Sequence, residues 1–172
     1  MSKPKPFLRP ATVMDSVNLV RLIRAGWEES PAFGVAPLDD TKLMDYVQKS
    51  LKHCFCVVVE QDRRILGSVC LVPFVLPWAS NVLALAEGWF IVQASQRRKG
   101  ISELLLGAVE RFLDDQKLIA IMGSNLLAPP EMSEPMNGRP GYTPVRLTYL
   151  RFPNRHVDEQ GRPVMPPKVA GE

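Results

Sequence analysis

The segment Arg97-Arg98-Lys99-Gly100-Ile101-Ser102 joins an apolar, strand-like run ending at Val92 to an amphipathic run, and its residue types are those that hold an anion. After Ile101 the apolar residues Leu104, Leu105, Ala108, Val109, Phe112 and Leu113 recur at i, i+3, i+4 and i+7, so a helix with one buried face begins near Gly100. The first N–H groups of such a helix lack partners within it, and its dipole favours negative charge at that end. Arg97, Arg98 and Lys99 stand beside the same end, and Gly100 lets a ligand come close to the backbone. The segment reads as a phosphate cradle. A second residue with chemical potential is Glu87, a carboxylate in the apolar run Leu83 to Trp89. Burial there would make it hold a proton more tightly, as general acid–base work requires.

The surrounding pattern supplies the elements that must position these groups. Phe7-Leu8-Arg9 is a short strand candidate, and Thr12 to Asp15 has the spacing of a capping box that opens a helix. Val13, Val17, Val20, Ile23 and Trp27 mark the apolar face of that helix, which runs as far as Gly26. Asp39 or Asp40 caps a second helix carrying Leu43, Met44, Val47 and Leu51 and ending near His53. Cys54 to Glu60 and Ile65 to Val72 form a hairpin, with Pro73 closing its second strand. Leu83 to Val92 is a long strand in which Gly88 marks a bulge. The helix Ile101 to Gln116 is followed by a short buried strand, Leu118 to Met122, and Val145 to Phe152 forms a last strand. The expected arrangement is one domain over residues 1–152, followed by a loosely held, proline-rich tail over 153–172.

Composition narrows the class. At 172 residues with 46% hydrophobic content the chain can build a sizeable core, and a net charge of +3 does not imply nucleic acid as a partner. No apolar run has the length of a membrane span or the form of a signal peptide. Cys54, Cys56 and Cys70 lie in strand-like apolar runs, which favours buried thiols over a disulfide framework or metal site and fits a cytoplasmic setting.

The order of these elements and the turn itself resemble the GNAT superfamily of acyl-CoA-dependent N-acyltransferases over roughly residues 7–152. Its signature turn is [Arg/Gln]-x-x-Gly-x-[Gly/Ala], placed between a strand and a helix. Arg97 to Ser102 matches it, with Ser102 in place of the final small residue. The resemblance implies an α/β fold of the α+β kind, with a mixed, mostly antiparallel central sheet flanked by helices. It implies that the backbone of Arg97, Arg98, Lys99, Gly100, Ile101 and Ser102 binds the pyrophosphate of acetyl-CoA or another acyl-CoA, and that the backbone of Phe90, Ile91 and Val92 pairs with its pantetheine arm. Asn125 stands where the family often places a further cofactor contact.

For catalysis the resemblance implies direct attack by a primary amine on the thioester, with the acceptor a small molecule or a peptide, no metal, and Glu87 assisting deprotonation. The family's usual tyrosine acid falls on Asn137, so Tyr142 and Tyr149 are the candidates to protonate the departing thiolate. Trp27, Phe33, Trp78 and Trp89 are candidates to line the acceptor pocket, and an exposed late strand offers a route to a homodimer. The alternative reading is a non-catalytic GNAT-fold interaction module that keeps the groove or only the scaffold.

Overall fold

The computed structural model describes residues 4–29, 38–75 and 83–122, together with two short strands at 156–157 and 163–164. Strands β1 (Phe7–Pro10), β2 (Phe55–Gln61), β3 (Arg64–Val75), β4 (Leu83–Val92) and β5 (Ile119–Ile121) form one sheet in the order β1-β2-β3-β4-β5. The first four are mutually antiparallel, and β5 runs parallel to β4. The sheet is therefore mixed and mostly antiparallel, as the GNAT-like α/β class requires.

Helices cover both faces. Helix α3 (Ile101–Gln116) packs Ile101, Leu105 and Val109 on Val57, Val69, Leu71, Phe90 and Val92. Helices α1 (Ser16–Glu28) and α2 (Asp40–His53) cover the opposite face, where Leu19, Leu22, Ile23 and Val47 meet Val58, Cys70, Trp89 and Ile91. Strand residues alternate between the two cores because successive side chains leave a strand on opposite sides. Close packing of α3 depends on Gly67, where a Cβ would stand 2.9 Å from Ile101 Cγ2 and 3.0 Å from the Ile91 carbonyl oxygen.

Helix α1 buries Ile23 and packs Val20 against the core as the spacing marks, but its inward face is rotated by part of a turn. Its buried residues are Ser16, Leu19, Leu22, Ile23 and Gly26, while Val17 is 51% exposed and the helix runs on to Glu28. The cause lies just upstream, in a short 3-10 turn over Val13–Asp15. Asp15 accepts from the Thr12 backbone N–H at 2.8 Å and from both terminal nitrogens of Arg9 at 2.8 Å. With Asp15 and Ser16 anchored inward, Val17 comes about 100° further round and faces solvent. Arg9 also bonds Glu60 at 2.7 Å, tying β1, β2 and the start of α1 together.

The second helix follows the sequence reading, with Asp39 as its cap accepting from the N–H groups of Thr41 and Lys42. The β2–β3 hairpin turns through Asp62 and Arg63, both at positive φ as a two-residue type I′ turn demands. Pro73 does not end β3, which continues to Val75. Pairing with β2 stops at Leu71, so a missing donor beyond that point breaks no β2–β3 bond. On α3, Leu104 is 41% exposed and Leu106 is fully buried, a shift of the apolar face by part of a turn. The proline-rich tail carries a small antiparallel pairing of β6 (His156–Val157) with β7 (Pro163–Val164). The expected strand at 145–152 lies outside the described residues.

Candidate functional site

The turn after β4 is shaped by its backbone. Gln93 N–H bonds the Leu66 carbonyl at 2.9 Å, and Ala94–Gln96 makes one 3-10 turn. Arg98 and Gly100 then take positive φ values of 61° and 79°. For Gly100 this conformation is the reason for glycine, since a Cβ there would meet nothing within 4 Å. The space over Gly100 is open to a ligand. Helix α3 starts at Ile101, and its first bond is Leu104 N–H to the Gly100 carbonyl at 3.2 Å, which leaves the N–H groups of Ile101, Ser102 and Glu103 without intrahelical carbonyls. Ile101 itself is core, whereas Arg98 and Lys99 are exposed at the mouth. Arg97 departs from the sequence reading. Its guanidinium turns away from the helix end and pairs with Glu29 at the end of α1, so of this residue only the backbone remains at the turn.

Strand β4 offers an open edge leading to that turn. Along one side it pairs with β3 from Val75↔Leu83 to Gly67↔Val92. On the other side β5 pairs only with Ala84, Leu85 and Ala86, after which the described residues give β4 no neighbour there. Among the described residues pairing on that side ends there, and an amide-bearing ligand can pair with strand backbone that has no strand beside it. Phe90 and Val92 bury their side chains toward α3, and Ile91 buries its own toward α1. What the three residues can give a ligand is their backbone.

Gly88 follows the part of β4 that pairs with β5 and is the extra residue of a β-bulge, because Cys70 pairs with Trp89 while Leu71 pairs with Glu87. The bulge switches faces. Leu85 belongs to the α3-side core and Trp89 to the α1/α2-side core, although four residues apart they would share a face in a regular strand. Glu87, 9% exposed, stands opposite Leu71 on the α3 side. Trp89 is fully enclosed, with Nε1 donating to Ser68 Oγ at 3.0 Å, and so is a packing residue that cannot line an acceptor pocket.

The bulge brings in a residue that sequence reasoning passed over. A Cβ on Gly88 would lie 2.9 Å from the hydroxyl of Tyr46, on α2. The Tyr46 ring packs edge-on to Trp89 with centroids 6.0 Å apart, and 42% of the residue stays exposed. Partial burial, reinforced by the neighbouring Cys70, raises the phenol above its ordinary value and keeps it protonated. Its placement rests on a bulge register that no local sequence signal supplies. Asn125, Tyr142, Tyr149, Phe33 and Trp78 lie outside the described residues, so Tyr46 is the one described tyrosine.

The thiols lie in the core against which Tyr46 packs. Cys56 Sγ and Cys70 Sγ lie 3.0 Å apart in the α1/α2-side core, and contact with Cys56 together with burial pushes the Cys70 thiol far above its usual range. Among the described residues no group of three or more His, Cys, Asp or Glu side chains could hold a metal ion, and no helix is long and apolar enough to cross a membrane.

Comparison with known proteins places this architecture. The family model of the acetyltransferase (GNAT) family matches residues 20–127, more than half of the chain. No curated protein matches. Among solved structures, a GCN5-related N-acetyltransferase from Ralstonia eutropha JMP134 superposes with a TM-score of 0.62 at 19% identity, covering 86% of this chain and 99% of that one. A predicted acetyltransferase with acetyl-CoA from Clostridium acetobutylicum gives 0.63 at 14% identity over 84% and 96%. An aminoglycoside acetyltransferase from an uncultured soil metagenomic sample, in complex with sisomicin, gives 0.61 at 14% identity over 86% and 95%. These likenesses are of fold, whereas the family match spans both the bulged strand and the turn: the chain belongs to the GNAT family of acetyltransferases.

Proposed function

We propose that the protein transfers an acetyl group from acetyl-CoA to a primary amine, by direct attack in a ternary complex. The observation that carries this reading is the run of β4 from bulge to turn: an edge with no strand beside it after Ala86 among the described residues leads directly to a helix N-terminus with open space over Gly100. Acetyl-CoA supplies the activated acyl group. The N–H groups up to Ser102 at the start of α3 hold its pyrophosphate, that of Arg97 being bonded to the Ala94 carbonyl at 3.3 Å, with Arg98 and Lys99 adding charge at the mouth, and Ser102 can donate a hydroxyl proton where the family pattern has a smaller residue. The backbone of Phe90, Ile91 and Val92 pairs with the pantetheine arm, which sets the thioester beside Gly88.

The bulge is then where protons move. An amine attacks only when uncharged, and Glu87 takes its proton directly or through a water. Tyr46 holds a proton at its hydroxyl beside Gly88, on the α1/α2 face of the sheet, and is a candidate donor to the departing thiolate from that face. Tyr142 and Tyr149 are the other candidates for that donor. The acceptor is a small-molecule or peptide amine, and the aminoglycoside acetyltransferase among the fold neighbours makes aminoglycosides the first compounds to try.

Acetyl-CoA should raise the melting temperature of the protein, because it binds the native state alone. Free thiol should then appear on incubation with one member of a panel of aminoglycosides, polyamines and peptides. Absence of any thermal response at millimolar acetyl-CoA would overturn the cofactor reading. Binding without thiol release across the whole panel would leave a non-catalytic module of the same fold.

A further inference from the structure

Beside the cofactor turn, on the α1 face of the sheet, lies a cavity of about 310 Å³ whose lining shares Ile91, Val92 and Arg97 with the proposed cofactor strand and turn. It is bounded by α1, by the β2–β3 hairpin turn and by the end of β4, so it sits on the β3 side of β4, away from the edge that β5 pairs with. Its floor includes Ile91, and its wall carries Arg21, Arg63, Arg64 and Arg97, with Glu29 as the single acid among the described residues. Four arginines from three separate segments of the chain thus border it, Arg21, Arg63 and Arg64 exposed and Arg97 half-buried. Among the described residues, the ion pairs formed involve none of Arg21, Arg63 and Arg64. Arg97 is satisfied on one side only: Nη2 pairs with Glu29, while Nε is buried and has no hydrogen-bond partner.

Like charges gathered over an apolar floor repel one another and focus a positive field into the concavity. A buried donor without a partner adds the cost of its lost hydration. Both costs fall when an anion enters, because guanidinium forks match the paired oxygens of phosphate and carboxylate groups. The volume suits a small ligand with more than one such group. We infer that this cavity binds a small polyanion with phosphate or carboxylate groups, held by Arg21, Arg63, Arg64 and Arg97. Because Arg97 is also the first residue of the cofactor turn, an anion that draws its guanidinium from Glu29 bears on that turn. Occupancy of the two sites is therefore coupled, and coupling of binding is reciprocal.

Calorimetric titration of the full chain, first saturated with CoA to fill the turn, tests this with sodium tripolyphosphate in one arm and citrate in the other. One further site is expected for at least one of the two anions, and the stronger arm identifies the preferred group. The double variant R63A/R64A and the single variant R21A should each weaken it at least tenfold. Both should keep the CoA affinity of the unliganded protein within twofold, and Arg64→Lys should fall between wild type and the double variant. The anion that binds should shift the CoA affinity, and CoA should shift the anion's by the same factor. No heat from either anion, or binding undiminished in the arginine variants, overturns the inference. Should CoA itself fail to bind, the same titrations without it still decide: loss in the arginine variants but not in Gly100→Val places the anion in this cavity independently of the cofactor reading.

Discussion

The turn at the end of β4 and the bulge in its middle belong to one strand but are built in opposite ways. The turn is contiguous. Its working groups are backbone N–H donors from Ile101 onward, fixed by two left-handed residues and the start of a helix, and the side chain of Arg97 is turned elsewhere without disturbing them. The bulge is assembled from a distance: Glu87 and Gly88 come from β4, Tyr46 comes from α2, and the register of β3 decides which way each faces. Backbone recognition tolerates side-chain change so long as φ and ψ survive, whereas an assembled site fails with any one member. Binding and chemistry should therefore separate under mutation along a single strand.

Glu87→Gln is the largest test of that separation. Loss of a general base costs about 10²–10⁴-fold in rate, so kcat/KM should fall by that order while the thermal response to acetyl-CoA stays within error of wild type. A parallel loss of acetyl-CoA binding would show that bulge and turn act as one unit. Gly100→Val makes the reverse change, forcing a β-branched residue into φ 79° at a cost of about 1–2 kcal/mol per residue. Acetyl-CoA affinity should weaken about tenfold, with the rate at saturating cofactor little altered. Titration of the thermal shift and a saturating rate assay measure the two effects on one preparation.

The same contrast explains what the sequence made legible. A strand, cations, a glycine and an amphipathic helix in immediate succession specify the turn, because every determinant of Arg97 to Ser102 is local. The bulge could be suspected from Gly88, but its register depends on β3 and its company depends on where α2 packs, so Tyr46 carried no signal of its own. Helix α1 was misread for a related reason. The valine spacing was genuine, yet the rotation of the helix is set by Asp15, whose partner Arg9 sits across a proline on β1. Of the four aromatics that could line a pocket, Trp89 is a core residue against Ser68, and the bulge decides which of the two cores it joins.

Tyr46→Phe is a smaller and more discriminating test. It removes only a hydroxyl from a residue that is 42% exposed, so stability should change little. If that hydroxyl donates to the departing thiolate, the rate at saturating substrates should fall about tenfold, towards the lower end of general-acid effects, with acetyl-CoA affinity unchanged. Because the phenol is held above its ordinary value, the ratio of wild-type to variant rates should stay flat from neutral pH to about pH 9.5. A ratio that changes in that window would assign the proton to another group.

The smallest effect on activity is expected where neither region is touched. Asp15 joins Arg9 and the Thr12 N–H at the start of α1, and the Arg9 guanidinium holds its carboxyl below the ordinary carboxylate value in spite of burial. A lowered pKa in the folded state means that the ionised form stabilises the fold above the unfolded pKa, near 4, and that this contribution is lost as pH falls through the folded value. Asp15→Asn should cost about 1.5–3 kcal/mol at neutral pH, the range for hydrogen bonds to charged groups. The difference from wild type should shrink as urea melts are repeated at pH values below about 4. At neutral pH and a temperature where both proteins are folded, kcat and acetyl-CoA affinity should match wild type, because the anchor sets which face of α1 is buried and that face is already packed by Leu19, Leu22 and Ile23. A variant that keeps its stability but loses acetyl-CoA affinity would instead tie the turn to α1 through Glu29 and Arg97, and the separation of binding from chemistry would have to be redrawn around that pair.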